Sequence, residues 1–106
     1  MKLQINTTSS EKIKFILNGE SFESDARELR SQRMLPFLLE ILNDKGVTLK
    51  DITEVEVNTG PGSYTGIRVG VAVAQTLGWA LKIPVNGKLL TENDFIEIDY
   101  GESRFN

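Results

Sequence analysis

Cysteine and histidine are both absent from the 106 residues, and their absence excludes several reaction classes. Without cysteine there is no disulfide framework, no thiolate nucleophile and no cysteine-bound metal. Without histidine the commonest general base and the commonest transition-metal ligand are missing. A Ser-His-Asp triad and an H-E-x-x-H zinc site are ruled out with them. Positive charge is also scarce: 12 Lys and Arg stand against 15 Asp and Glu, a net charge of −3, whereas phosphate-backbone binding needs clustered cations. Direct nucleic-acid binding is therefore not expected, and Arg27, Arg30 and Arg33 are read as a solvated helix face. Long apolar runs are lacking too. The most apolar stretch, 67–81, falls short of the ~20 residues that cross a bilayer. The opening MKLQINTTSS has no apolar core for a signal peptide. The expectation is a soluble cytoplasmic protein with no membrane contact.

What remains is an ordinary globular composition, 40% hydrophobic and 25% charged, sized for one domain with one core. Leu3 and Ile5 alternate with Lys2, Gln4 and Asn6, the period of a half-buried strand. Ile13, Phe15 and Leu17 repeat that pattern, and Asn18-Gly19 predicts a hairpin into ESFES. A helix is predicted from Asp25 or Leu29 to about Asp44, with Gly46 just beyond its C-terminus. Leu35, Leu38, Leu39 and Leu42 follow a helical period, and Met34, Phe37 and Ile41 form a second apolar stripe beside them. One stripe covers the sheet and the other lacks an obvious partner. Pro36 should kink this helix or mark its first turn. A short helical turn at Thr48 leads to a strand carrying Val55 and Val57, then to a second helix from about Thr65 to Leu81. Ile83 and Val85 suggest another short strand, and DFIEIDY alternates again. The order is that of an α/β fold.

Between the Val55–Val57 strand and the second helix lies NTGPGSYTGIRVG, which holds four of the nine glycines. At such a corner, outward backbone N–H groups and the positive end of the helix dipole suit a phosphate or carboxylate. Gly60, Gly62, Ser63, Thr65 and Arg68 are the candidate anion-binding residues; Ser63 or Thr65 could instead cap the helix. Neither established phosphate pattern fits. A Walker A loop needs Lys where Ile67 stands, and G-x-G-x-x-G needs glycine where Thr65 stands. Two readings stand, a small nucleotide- or anion-binding module and a purely structural corner. Gly66, Gly70, Ala74 and Gly78 then recur every four residues. This row of small side chains lets another backbone approach closely, either the chain's own sheet or a helix of another subunit.

GPGSYTGIRVGVAVAQTLGWAL resembles the hallmark run of the TsaB (YeaZ) family, and RSQRMLPFLLEIL resembles the family's first helix, Pro36 included. LQINTTSS and KIPVNGK are similar to its opening strand and to the strand after the second helix, so the likeness covers about residues 2–88. The resemblance implies one lobe of an actin-like or ribonuclease H-like fold: a mixed sheet with an antiparallel N-terminal meander and two main helices. It implies a non-catalytic partner in the synthesis of threonylcarbamoyladenosine on transfer RNA, with no cofactor or metal of its own. The partner would be a TsaD-type transferase, or a second copy of the chain, engaged through both helices by Met34, Pro36, Phe37, Ile41, Gly66, Gly70, Ala74 and Gly78. Asn6 stands where the family has an acidic residue, and ELRSQ where it has a histidine-containing stretch. Residues 1–90 would form the lobe and 91–106 a short tail able to add a strand. A tail of that length supplies no second lobe, so a complete ATP site within one chain is not expected.

Overall fold

A computed structural model describes residues 1–9, 11–25 and 31–90; of residues 31–33 and 64 it describes the backbone. β1 (Lys2–Asn6), β2 (Lys12–Leu17) and β3 (Glu20–Asp25) are followed by α1 (Ser31–Asp44) and β4 (Glu54–Val57). α2 (Tyr64–Leu81), β5 (Pro84–Val85) and β6 (Lys88–Leu89) complete the order. The strands form one mixed sheet in the order β3-β2-β1-β4-β5-β6. The antiparallel meander is there as expected, with Ile5 opposite Phe15 and Phe15 opposite Phe22. β4 runs parallel to β1, pairing Leu3 with Val55, and β5 runs parallel to β4, pairing Val55 with Val85.

The period of two in each strand sorts the sheet into two faces. Leu3, Ile5, Ile13, Phe15, Leu17, Val55, Val57 and Val85 are buried on one side. β3, β4 and β5 are mutually parallel, so the connections through α1 and α2 are both crossovers in the same direction across the sheet. A right-handed sense for each puts both helices on that same face. Met34, Leu38, Ile41 and Leu42 of α1 and Ile67, Val71, Ala74 and Leu77 of α2 join the strand residues in one core. The opposite face is polar, with the Lys2 ammonium 2.7 Å from the Glu56 carboxylate.

Asn18 and Gly19 take φ of 51° and 90°. Left-handed backbone at both central positions is what a two-residue hairpin turn demands. α1 ends in a glycine motif: Val47 N–H donates to the Leu42 carbonyl across Gly46, whose φ is 71°. After it, the Asp51 carboxylate accepts from the Thr48 N–H at 2.8 Å and fixes the short 3-10 turn Leu49–Asp51.

Two expectations are corrected, and of the two roles offered for Pro36 the first-turn one is excluded. The stripe of α1 that faces the sheet is Met34, Leu38, Ile41 and Leu42, whereas Leu39 stays 43% exposed. The surplus apolar edge is therefore Leu35 and Leu39, and Met34 and Ile41 are core. Pro36 lies inside α1 beyond its first turn, where the lost N–H leaves the Gln32 carbonyl without its usual helical donor. The strand expected around Ile83 begins instead at Pro84 and folds back through Asn86-Gly87, at φ of 51° and 82°, into β6. The residues 26–30 of the expected first helix, the alternating segment 94–100 and the whole tail 91–106 lie outside the described residues.

Candidate partner surface and glycine corner

The glycine corner is built against the end of β1. Asn58 N–H donates to the Ile5 carbonyl at 2.9 Å, which carries the β1–β4 pairing into the loop. The Asn58 side chain then accepts from Gly60 N–H at 3.1 Å. Ser63 N–H reaches back to the Thr8 carbonyl at 2.7 Å. A side chain at Gly62 would come within 2.6 Å of that same carbonyl oxygen, so only glycine lets the two segments touch. Asn6 accepts from both the backbone N–H and the hydroxyl of Thr8, at 3.1 and 2.7 Å. It thereby shapes the turn that the loop rests on.

Ser63, not Thr65, caps α2: its hydroxyl oxygen accepts from Gly66 N–H at 3.3 Å, and its carbonyl accepts from Ile67 N–H at 2.9 Å. The amides of Gly60, Ser63, Gly66 and Ile67 are thus engaged within the chain. Thr65 and Arg68 are exposed beside them. The arrangement sets the angle at which α2 leaves β4.

Past the corner, the small-residue row lies on the chain's own sheet. Gly66 sits over the Thr7 carbonyl, Gly70 over the Thr7 side chain, and Gly78 over Val85. Ala74 is fully buried in the core. The expectation that this row faces another subunit is corrected, because β1 and β5 already occupy the space it leaves. Met34 and Ile41 are likewise 0% and 4% exposed. Of the expected interface residues, Pro36 is exposed and Gly66 half-buried. Phe37 is half-buried too, its ring 5.8 Å from that of Phe15.

The open surface is made by other residues of the same two helices, which pack against one another. α1 shows Pro36, Leu39, Glu40, Asn43 and Asp44; α2 shows Thr65, Arg68, Ala72, Thr76, Trp79 and Ala80. Leu39 and Trp79 are large side chains left 43% and 39% exposed. Beyond Arg68, no charged residue occurs to the end of α2 at Leu81. An exposed helix face usually carries charge opposite its apolar stripe, so this face departs from the pattern of a solvated helix. Sequence reading placed Leu39 in an apolar stripe but named neither it nor Trp79 among the interface residues; for Trp79 the signal available was that charge-free run from Val69 to Leu81.

The polar face of the sheet has different electrostatics. Glu56 accepts hydrogen bonds from Lys2 and, at 3.3 Å, from Gln4. The hydrogen bond from Lys2 and the charge of its ammonium hold the Glu56 carboxyl below the usual carboxylate range, and the same pair raises Lys2. Among the described residues, no group of three Asp or Glu side chains is placed to hold a metal ion. Nor is any helix there long and apolar enough to cross a membrane.

Comparison with known proteins places this architecture. The family model for TsaD, tRNA N6-adenosine threonylcarbamoyltransferase, matches residues 24–87. The chain is 45% identical over 56 residues to the tRNA threonylcarbamoyladenosine biosynthesis protein TsaB of Bacillus subtilis (strain 168), covering 53% of this chain and 24% of that protein. It is 41% identical over 56 residues to a tRNA N6-adenosine threonylcarbamoyltransferase of Nitrosospira multiformis, covering 53% of this chain and 16% of that one. The solved structure of YeaZ from Pseudomonas aeruginosa superposes with a TM-score of 0.66 and 29% identity, covering 79% of this chain and 41% of that chain. The chain thus spans less than half the length of each of these relatives. The six-stranded mixed sheet with its two helices is the α/β architecture expected of an actin-like or ribonuclease H-like lobe, and it matches the YeaZ structure.

Proposed function

The chain belongs to the TsaD family, that of tRNA N6-adenosine threonylcarbamoyltransferase, as a partial TsaB-like member, and on that footing we propose that it is a non-catalytic partner of a TsaD-type transferase in tRNA threonylcarbamoyladenosine modification. The observation that carries this reading is the outward face of α1 and α2, where Leu39 and Trp79 stand exposed and α2 carries no charge beyond Arg68. Burying apolar area of that kind is the main driving force of association. Tryptophan is enriched among the side chains that dominate interface energies.

The reading keeps Pro36 and Phe37 at the contact and adds Leu39, Ala72, Thr76 and Trp79. Met34, Ile41, Gly70, Ala74 and Gly78 serve it from within by fixing how closely the helices sit on the sheet. The transferase of Nitrosospira multiformis carries a segment related to this one. A transferase partner can therefore present a related pair of helices, and the two chains would meet about a pseudo-two-fold axis. The same face is self-complementary in a homodimer when the transferase is absent, as isologous contacts require. A sequence without histidine or cysteine suits a partner better than a catalyst, and a transfer-RNA substrate for the pathway supports a cytoplasmic complex.

Co-purification tests the reading. The tagged chain, expressed with the TsaD-type transferase of its own source, should retain it at near-equal stoichiometry through size exclusion. A transferase that elutes apart, with the chain monomeric at all concentrations, would overturn the proposal.

A further inference from the structure

We draw no further inference here: the strongest candidate, the shallow apolar groove between the C-terminal half of α1 and residues 47–50, walled by Leu39, Leu42, Val47 and Leu49, carries none because nothing in the structure shows what covers it.

Discussion

Gly70 of α2 lies directly on the side chain of Thr7 at the end of β1, so that a Cβ at position 70 would collide with the Thr7 hydroxyl and crowd its Cβ and methyl. Thr7 is 1% exposed, and its hydroxyl has no hydrogen-bond partner among the described residues. The helix has been brought down onto the strand until only a hydrogen atom fits between them.

Gly70→Ala tests that contact. In an exposed helix the change should stabilise by about 1 kcal/mol through helix propensity. Even with the hydroxyl turned away, the Thr7 Cβ would lie 3.2 Å from the added carbon, so the contact stays overpacked. Overpacking of this kind costs about 1–3 kcal/mol. We expect a lower urea midpoint for Gly70→Ala with an unchanged m-value. Gly66→Ala should behave alike, because there the obstacle is the Thr7 backbone carbonyl.

Thr7→Val removes the orphaned hydroxyl while keeping the branched shape. Burying a polar group without a partner costs about 1–3 kcal/mol, and valine has no such cost. The variant is expected to melt higher than the parent by calorimetry. A lower melting temperature would mean that the hydroxyl is satisfied in solution.

Asn86 acts as a clamp on β4. Its side-chain oxygen accepts from Val57 N–H at 2.8 Å, and its amide donates to the Val57 carbonyl at 3.1 Å. Its own N–H donates to the Val55 carbonyl at 2.9 Å. The side chain thus continues the β4–β5 ladder one step beyond the strand, from a left-handed φ of 51° that asparagine tolerates better than most residues. Asn86→Ala should cost about 1–3 kcal/mol in denaturant unfolding. It should also speed hydrogen exchange at the Val57 amide before any other in β4.

Acid sensitivity should trace in part to Lys2 and Glu56. The Glu56 carboxyl is held below its ordinary value in the fold, first by its hydrogen bond from Lys2. Its contribution is therefore present above the unfolded carboxylate pKa and is lost as pH falls through the lower folded value. Lys2 is raised by the same hydrogen bond, so its share persists until the pH climbs through its folded value. Carboxyl-carbon NMR should place the Glu56 midpoint below the ordinary carboxylate range, and Lys2→Met should return it toward that range. Both groups face water, so the effect on stability is expected to be small and to shrink with salt.

Much of the fold could be read from local pattern, because local chemistry determines it. The period of two in Leu3 and Ile5, the Asn18-Gly19 turn, the glycine after α1 and the span of α2 each follow from residues close in sequence. Which stripe of α1 meets the sheet is a different kind of question. Leu35, Leu38, Leu39 and Leu42 satisfy a helical period as well as Met34, Leu38, Ile41 and Leu42 do, and the choice is made by the crossover from β3 and by contact with Phe15. The row of small residues from Gly66 to Gly78 signals that a backbone comes close; it does not say whose. The structure gives that place to Thr7 and Val85, and the face of α2 left exposed is the opposite one. The second hairpin was legible in Asn86-Gly87, the same dipeptide as at 18–19, but only two residues flank it on each side, too few to show alternation.

The most direct test is titration calorimetry of the full chain against the TsaD-type transferase of its source, comparing Leu39→Glu and Trp79→Glu with Glu54→Gln on the polar face of the sheet. The account predicts binding by the parent, weakening of about 30-fold or more in each helix-face variant, corresponding to the loss of about 2 kcal/mol at a central interface side chain, and no change for Glu54→Gln. Equal affinity across all four proteins, or no binding by any of them, would contradict it.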